Sequence, residues 1–356
     1  MGVIQIPPAL WDKIPYELQT KMIDLYALIE AYTTQYVPSN IVPVFVLLVI
    51  LNVVYTVSEF LYIHFLQGTP KNLSKKYGSW ALVTGATDGI GFAMSKEFAK
   101  KGMNVCIVGR SQEKIDKCVT DLEQACPEVK IEYLKVDFSE IGNSDVRDGI
   151  ASWIKGKNIG VLVNNVGVSY PYTKYYHELK EEEVQSLMTL NVDSTTWMTT
   201  MVLPSMIAQK KGAIINVASV AGILTSPLLA QYGAAKGYVS QMTKALHYEY
   251  ASKGIYVTCH VPFYVATKLA KLRNANLMVA SPAQYARAAI NALVNKRGIV
   301  VSPFWSHAVQ LSAMQALPEW LAAKIADFTH QGIRKAGIAK DKRNAAEGKG
   351  ENKKSK

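Results

Sequence analysis

The pattern of apolar and polar positions changes character twice along this chain. Leu10 to Tyr36 repeats apolar side chains at helical spacing, with Trp11, Leu18, Met22, Leu25 and Ile29. That spacing predicts an amphipathic helix at an interface. Ile41 to Ser58, IVPVFVLLVILNVVYTVS, then runs eighteen residues without a charge. At about 1.5 Å per residue it spans roughly 27 Å, the hydrocarbon core of a thin bilayer. Asn52 and Glu59 are its blemishes. From Ser79 to about Ser302 short apolar runs alternate with helical stretches: WALVTG, NVCIVG, IEYLKVD, GVLVNN, AIINVAS, YVTCHV and GIVVS. This predicts an α/β fold, a doubly wound, mostly parallel seven-stranded sheet with helices on both faces. Phe304 to Phe328 is apolar again, with Trp305 and Trp320, but Gln310, Ser312, Gln315 and Pro318 interrupt it. A helix on the membrane surface, or one closing a substrate site, suits that pattern better than a second span. The expected organisation is an amphipathic segment (1–40), a transmembrane anchor (41–66), a catalytic domain (70–303), a C-terminal helix (304–330) and a disordered basic tail (331–356).

Charge refines this. The net charge is +11, and nine basic against three acidic residues from Arg334 onward supply six of it. Concentrated in a tail without a recognition helix or aromatic platform, it argues against nucleic-acid binding. Lys71, Lys75 and Lys76 follow the anchor, whereas Met22 to Asn40 holds no Lys or Arg. The positive-inside rule therefore places the catalytic part in the cytosol, where the sequon at Asn72 stays unmodified. The final KKSK, with Lys353 and Lys354, resembles a dilysine retrieval signal of the endoplasmic-reticulum membrane, or is simply more of a lysine-rich tail. Four cysteines without CxxC spacing read as reduced thiols, and the six scattered histidines give no metal site.

The chemistry gathers at predicted strand ends. Strand one runs into Thr84-Gly85-Ala86-Thr87-Asp88-Gly89-Ile90-Gly91 and then a helix, a Rossmann-type turn in which glycines let a pyrophosphate approach the helix N-terminus. Strand two ends Val108-Gly109-Arg110-Ser111; an arginine there suits a 2′-phosphate, hence NADPH rather than NADH. Ser111 also reads as an N-cap. Asp137 and Asn164-Asn165-Val166-Gly167 follow strands three and four, where adenine and ribose belong. Tyr232 and Lys236 stand four apart in QYGAAKGY, thirteen residues after Ser219. Side by side on a helix, a cation favours the phenolate, which makes an acid-base group of the tyrosine. Taken alone, the pair equally fits a solvated lysine touching a half-buried tyrosine.

TGATDGIG, NNVG, Asn191, Ser219 and YGAAK, in this order, resemble the short-chain dehydrogenase/reductase family over roughly Gly78 to Ser302. NNVGVSYPY and VPFYVATK, with Phe263 where many members carry Gly, are similar to the membrane-bound very-long-chain 3-oxoacyl-CoA reductases. The related 17β-hydroxysteroid dehydrogenases share much of this. The resemblance implies that Tyr232 is the general acid, with its pKa lowered by Lys236 and the oxidised nicotinamide's positive charge together, that Ser219 orients the substrate oxygen, and that Asn191 holds a water linking Lys236 to solvent. It implies cofactor contacts from Gly85, Thr87, Asp88, Gly89, Ile90, Gly91, Arg110, Ser111, Asp137, Asn164, Asn165, Gly167, Tyr232, Lys236, Val265 and Thr267. Substrate would meet Ser219, Tyr232 and Tyr170. Gly233, Ala234 and Ala235 would be small because cofactor and substrate pass close. Tyr170, Tyr172, Tyr175 and Tyr176 either line an acyl channel or pack their loop down. Thr267 to Ala280 stands at the family's mobile lid, where Lys268, Lys271 and Arg273 meet coenzyme A phosphates or form a solvated face. The implied partners are a long-chain 3-oxoacyl-CoA, the membrane and the condensing, dehydratase and enoyl-reductase enzymes of elongation, with a homo-oligomer left open. A steroid dehydrogenase and a silent membrane scaffold are the alternatives.

Overall fold

The computed structural model describes residues 15–36, 41–272 and 274–346. Trp11, Arg273 and the KKSK end lie outside them. Residues 1–67 and 68–356 form two compact units.

The first unit holds helix α1 (Tyr16–Tyr36) and helix α2 (Ile41–Leu61), which continues as one π-helical turn, Tyr62–Leu66. Together Ile41–Leu66 make 26 residues, and among the described residues this is the one helix long and apolar enough to cross a membrane. None of α2 is buried within protein; Phe45 is 66% exposed. An apolar surface of that extent suits hydrocarbon better than water.

The second unit is a seven-stranded parallel sheet in the order β3-β2-β1-β4-β5-β6-β7. The strands are Trp80–Thr84, Asn104–Gly109, Ile131–Lys135, Ile159–Asn164, Gly212–Val217, Ile255–His260 and Val300–Val301, in chain order β1 to β7. Alternation within them feeds two cores. Ala213, Ile215 and Val217 of β5 join a cluster with Phe98, Tyr285 and Leu293. Ile214 joins Met198, Val202 and Ile255 on the other face. The helices that follow are α3 (Ser74–Tyr77), α4 (Gly89–Lys100), α5 (Gln112–Ala125), α6 (Ser144–Ile154), α7 (Glu181–Met188), α8 (Ser194–Gln209), α9 (Ala230–Ala251) and α10 (Pro282–Val294). Helices α4 and α10 contribute to the first cluster and α8 to the second, while α9 packs against β6. The order reverses between β1 and β4, which opens a crevice at their carboxyl ends.

The C-terminal part differs from expectation. The apolar stretch after Phe304 is split into α11 (Trp305–Gln315) and α12 (Glu319–Ala346), with Pro318 at the break. Residues 331–346 continue α12 instead of starting the disordered tail. Tertiary contacts account for this: Arg334 pairs with Glu178, and a Cβ on Gly337 would strike the Tyr172 ring. Packing, more than intrinsic preference, stabilises helices in proteins.

Candidate active site

The glycine turn after β1 is held by its own backbone shape. Gly85 and Gly89 have φ of +61° and +55°, a region that glycine enters without steric cost. A Cβ on Gly91 would stand 2.4 Å from the Gly85 carbonyl oxygen. Asp88 caps α4, its Oδ1 accepting from the Gly89 N–H at 2.8 Å, and its other oxygen pairs with Lys268 at 2.8 Å. Those contacts hold the Asp88 carboxyl below its ordinary value against the opposing effect of burial. The bare surface above a helix N-terminus fits a dinucleotide pyrophosphate. Thr267 stands directly over Gly89, 3.0 Å from where its Cβ would lie, so Gly85, Gly89, Ile90, Gly91 and Thr267 are together as expected. Val265 is buried and bridges Ala280, which ties off the stem of the lid segment. Thr87 abuts Gly109 beneath the turn. Arg110 is well exposed at the end of β2, 3.9 Å from Asp137. Asp137 also caps the turn Phe138–Glu140. Ser111 occupies the cap position of the following helix, Gln112–Ala125, without a side-chain hydrogen bond.

Three expected cofactor contacts do different work. The Asn164 side chain points into the opposite layer, donating to Thr199 Oγ1 at 3.0 Å and Asn216 Oδ1 at 2.8 Å; Asn216 in turn donates to Thr243. Asn165 braces the glycine turn, its Nδ2 donating to the Thr84 and Gly85 carbonyls at 3.2 and 3.1 Å. Gly167 makes room for two functional side chains: a Cβ there would lie 2.6 Å from Asn191 Oδ1 and 3.0 Å from Lys236 Nζ.

The expected catalytic groups come from β5 and α9. Ser219 follows β5 and caps the short 3₁₀ turn Val220–Gly222, its Oγ accepting from the Ala221 N–H at 3.2 Å. That turn lies directly on α9. A Cβ on Gly233 would stand 2.7 Å from the Ala221 carbonyl, and one on Gly222 would strike the Lys236 backbone at 2.5 Å. Gly233 is therefore required to be small by the protein's own backbone, and Ala235 is buried. This close approach brings the Ser219 hydroxyl near enough to the Tyr232 phenol to act on its pKa. Tyr232 as a whole is partly exposed. Burial of its hydroxyl end, the larger effect, pushes the phenol above its ordinary value while the Ser219 hydroxyl pulls it down. Lys236 by itself does not produce the expected lowering. Lys236 is itself 5% exposed, donates to the Val217 carbonyl at 3.1 Å and lies 5.9 Å from the Tyr232 ring centre. Burial lowers its ammonium to about 8.

Asn191 stands in a π-helical turn, Thr189–Asp193, fully buried. Its Nδ2 donates to the Val168 and Leu187 carbonyls at 2.9 and 3.0 Å, and its Oδ1 accepts from the Val168 N–H. The side chain is thus committed to holding the loop after β4. Tyr170 in that loop has a structural partner of its own. Its hydroxyl accepts from the Gln231 and Tyr232 N–H groups at 2.9 and 3.4 Å, capping the helix that carries Tyr232. Sequence reasoning missed that cap, and also Thr84, whose Oγ1 accepts from the Asn165 N–H at 3.0 Å. The hydroxyl beside the glycine motif was the available signal for Thr84. Tyr172 packs against α12, while Tyr175 and Tyr176 remain exposed.

Residues 79–278, more than half of the chain, match the short chain dehydrogenase family. The chain belongs to that family. This short-chain dehydrogenase is 37% identical over 284 residues to the human "inactive hydroxysteroid dehydrogenase-like protein 1", covering 78% of this chain and 84% of that one. It is 36% identical over 280 residues to the human very-long-chain 3-oxoacyl-CoA reductase, covering 78% and 88%. Among solved structures, a short-chain dehydrogenase from Sphingobium yanoikuyae in complex with NADPH superimposes with a TM-score of 0.59 at 25% identity, covering 66% of this chain and 92% of that one. The family and the reductase relatives support an oxidoreductase of the CH–OH/C=O type, and the Sphingobium neighbour holds NADPH.

Proposed function

We propose that this enzyme is an NADPH-dependent reductase that turns 3-oxoacyl-CoA into 3-hydroxyacyl-CoA in very-long-chain fatty-acid elongation. The observation that carries the reading is the meeting of the Ser219 turn with the helix of Tyr232 and the buried Lys236. Ser219 orients the carbonyl oxygen of the substrate. Tyr232, kept protonated by burial, donates its proton to that oxygen, which suits reduction at neutral pH. Lys236, poised near neutrality, helps to restore that proton. Gly85 to Gly91 and Thr267 would hold the dinucleotide, and bound NADPH supplies the hydride. Arg110 supports NADPH over NADH because a guanidinium forks onto a 2′-phosphate. The substrate class rests on the reductase relatives; a 17β-hydroxysteroid, or another lipid ketone, is the alternative within the class. The apolar helix Ile41–Leu66 and the lysines after it support the endoplasmic-reticulum membrane with the catalytic domain facing the cytosol, beside the other elongation enzymes. Trp320 and Phe328, 61% and 84% exposed, support a surface-lying α12.

A silent membrane scaffold is the second reading, favoured by the inactive designation of the human relative. The deciding experiment is NADPH oxidation by purified, detergent-solubilised protein, with a long-chain 3-oxoacyl-CoA and separately a 17-ketosteroid. Thioester turnover that falls by about 10²-fold or more in Tyr232→Phe is expected. Steroid turnover alone would move the enzyme to the hydroxysteroid branch. Turnover of neither, with NADPH still bound, would leave the scaffold.

A further inference from the structure

A cleft that begins at Asp88, Gly89 and Thr267 of the dinucleotide turn runs on between α4, the segment 266–272 and α10. Its walls are strongly basic. Lys96 and Lys100 stand one turn apart on α4, Arg287 comes from α10, Lys268 and Lys271 from the crossing segment, and Lys340 from α12. Against these six cations stand Asp88 and Glu97, and both are engaged, with Lys268 at 2.8 Å and Lys100 at 3.1 Å. Lys96, Lys271, Arg287 and Lys340 have no carboxylate partner in an ion pair among the described residues. Lys271 adopts a left-handed φ of 56°, uncommon outside glycine. Burial first, and then the neighbouring Lys340, holds its ammonium below the ordinary value. Like charges gathered around one cleft repel unless an anion joins them. The floor is apolar, with Phe92 and Ala93, which offers a ring face to a planar base.

The cleft also has a direction. One end shares Gly89 and Thr267 with the dinucleotide turn. At the other, Lys271 Nζ donates to the Pro171 carbonyl, the residue after the tyrosine that caps the catalytic helix. Resting on the reductase reading, we propose that this cleft binds the phosphates of the coenzyme A part of the substrate. The adenine lies on Phe92, and the thioester arm passes by Pro171 toward Tyr232 and Ser219.

The test uses full-length, detergent-solubilised protein saturated with NADPH, comparing wild type with Lys96→Gln/Arg287→Gln, two positions outside the dinucleotide turn. Calorimetric titration with coenzyme A, which carries no reacting ketone, is expected to weaken about tenfold or more in the variant, as removal of charge-assisted phosphate contacts should. The kcat/KM ratio between a 3-oxoacyl-CoA and the same acyl group on N-acetylcysteamine, which has no phosphate, is expected to fall by a similar factor. An unchanged ratio with unchanged coenzyme A binding overturns the proposal. Coenzyme A affinity that drops in the variant, in a protein that reduces neither thioester, keeps the cleft and removes the reductase reading. A variant that loses binding to vesicles containing anionic phospholipid, while coenzyme A binding stays, assigns the cleft to lipid headgroups and overturns it.

Discussion

Tyr232 and Lys236 share one face of α9, and burial acts on them in opposite directions. It raises the phenol and lowers the ammonium, the latter to about 8 from 10.5. In both cases the neutral form is favoured, as desolvation requires. For Lys236 the sign of the stability effect follows. Between pH 8 and 10.5 the unfolded chain holds the proton that the folded chain releases, so this residue's contribution to stability rises with pH across that window. Lys236→Met removes the effect. Urea unfolding without cofactor at pH 8 and pH 10 should show the wild type gaining about 2 kcal/mol relative to the variant. An equal difference at both pH values would refute the buried-ammonium account. Arg110 is the opposite case, an exposed cation whose Asp137 partner is 3.9 Å away. Little stability rests on it, and the role proposed for it is phosphate selection. Arg110→Ala should lower the ratio of kcat/KM for NADPH over NADH about tenfold, with unfolding midpoints unmoved.

At the level of elements, the site depends on one close approach. The Val220–Gly222 turn lies against α9 because Gly222 and Gly233 present no side chains there. Gly233→Ala puts a methyl 2.7 Å from the Ala221 carbonyl, a backbone atom with little room to yield. The expected cost is about 1–3 kcal/mol in stability. Reductase activity should fall further than that, because Ser219 moves away from Tyr232 while NADPH affinity is retained; intact activity would mean that the turn tolerates the shift. The strand-helix alternation, the glycine turn and the Ser219–Tyr232–Lys236 set were readable in one dimension, since each depends on local periodicity or spacing. Asn164 was not placed correctly, although the two-residue period of β4 carried the answer. It shares parity with Leu162, which faces the α8 side, while Asn165, one step on, reaches the glycine turn. Tyr170 was illegible for a different reason. A phenol capping a helix sixty-one residues later is a long-range contact, and nothing local distinguishes it from a channel-lining tyrosine.

At the scale of the whole domain, α12 joins the two loops that flank the reacting groups. Thr173, after β4, donates to the His330 carbonyl at 2.6 Å, and the His330 ring donates from Nδ1 to the Pro227 carbonyl, after β5, at 2.6 Å. Glu319 accepts from Thr225, and Arg334 pairs with Glu178. The helix therefore fixes the substrate side of the site, while the dinucleotide turn is held by Thr84, Asn165 and Asp88. This division of labour predicts a separable phenotype. His330→Ala combined with Thr173→Val removes two bonds, worth about 1 kcal/mol each, from the substrate side alone. The KM for ketone substrate should rise about tenfold and the thermal midpoint should fall by a few degrees, as about 2 kcal/mol implies. NADPH binding, followed by fluorescence, should be unchanged. Equal weakening of both ligands would mean that α12 stabilises the domain as a whole and does not govern the substrate loops. Burial, the largest effect, holds the His330 ring below its ordinary pKa although the Pro227 bond and Asp327 act the other way, so the charged ring is disfavoured in this buried place. Below about pH 6.5 the unfolded chain takes up a proton that the folded chain resists, and the strap weakens as pH falls. The ketone KM of the wild type should therefore rise on acidification from pH 7 to pH 5, and that of His330→Ala should rise less.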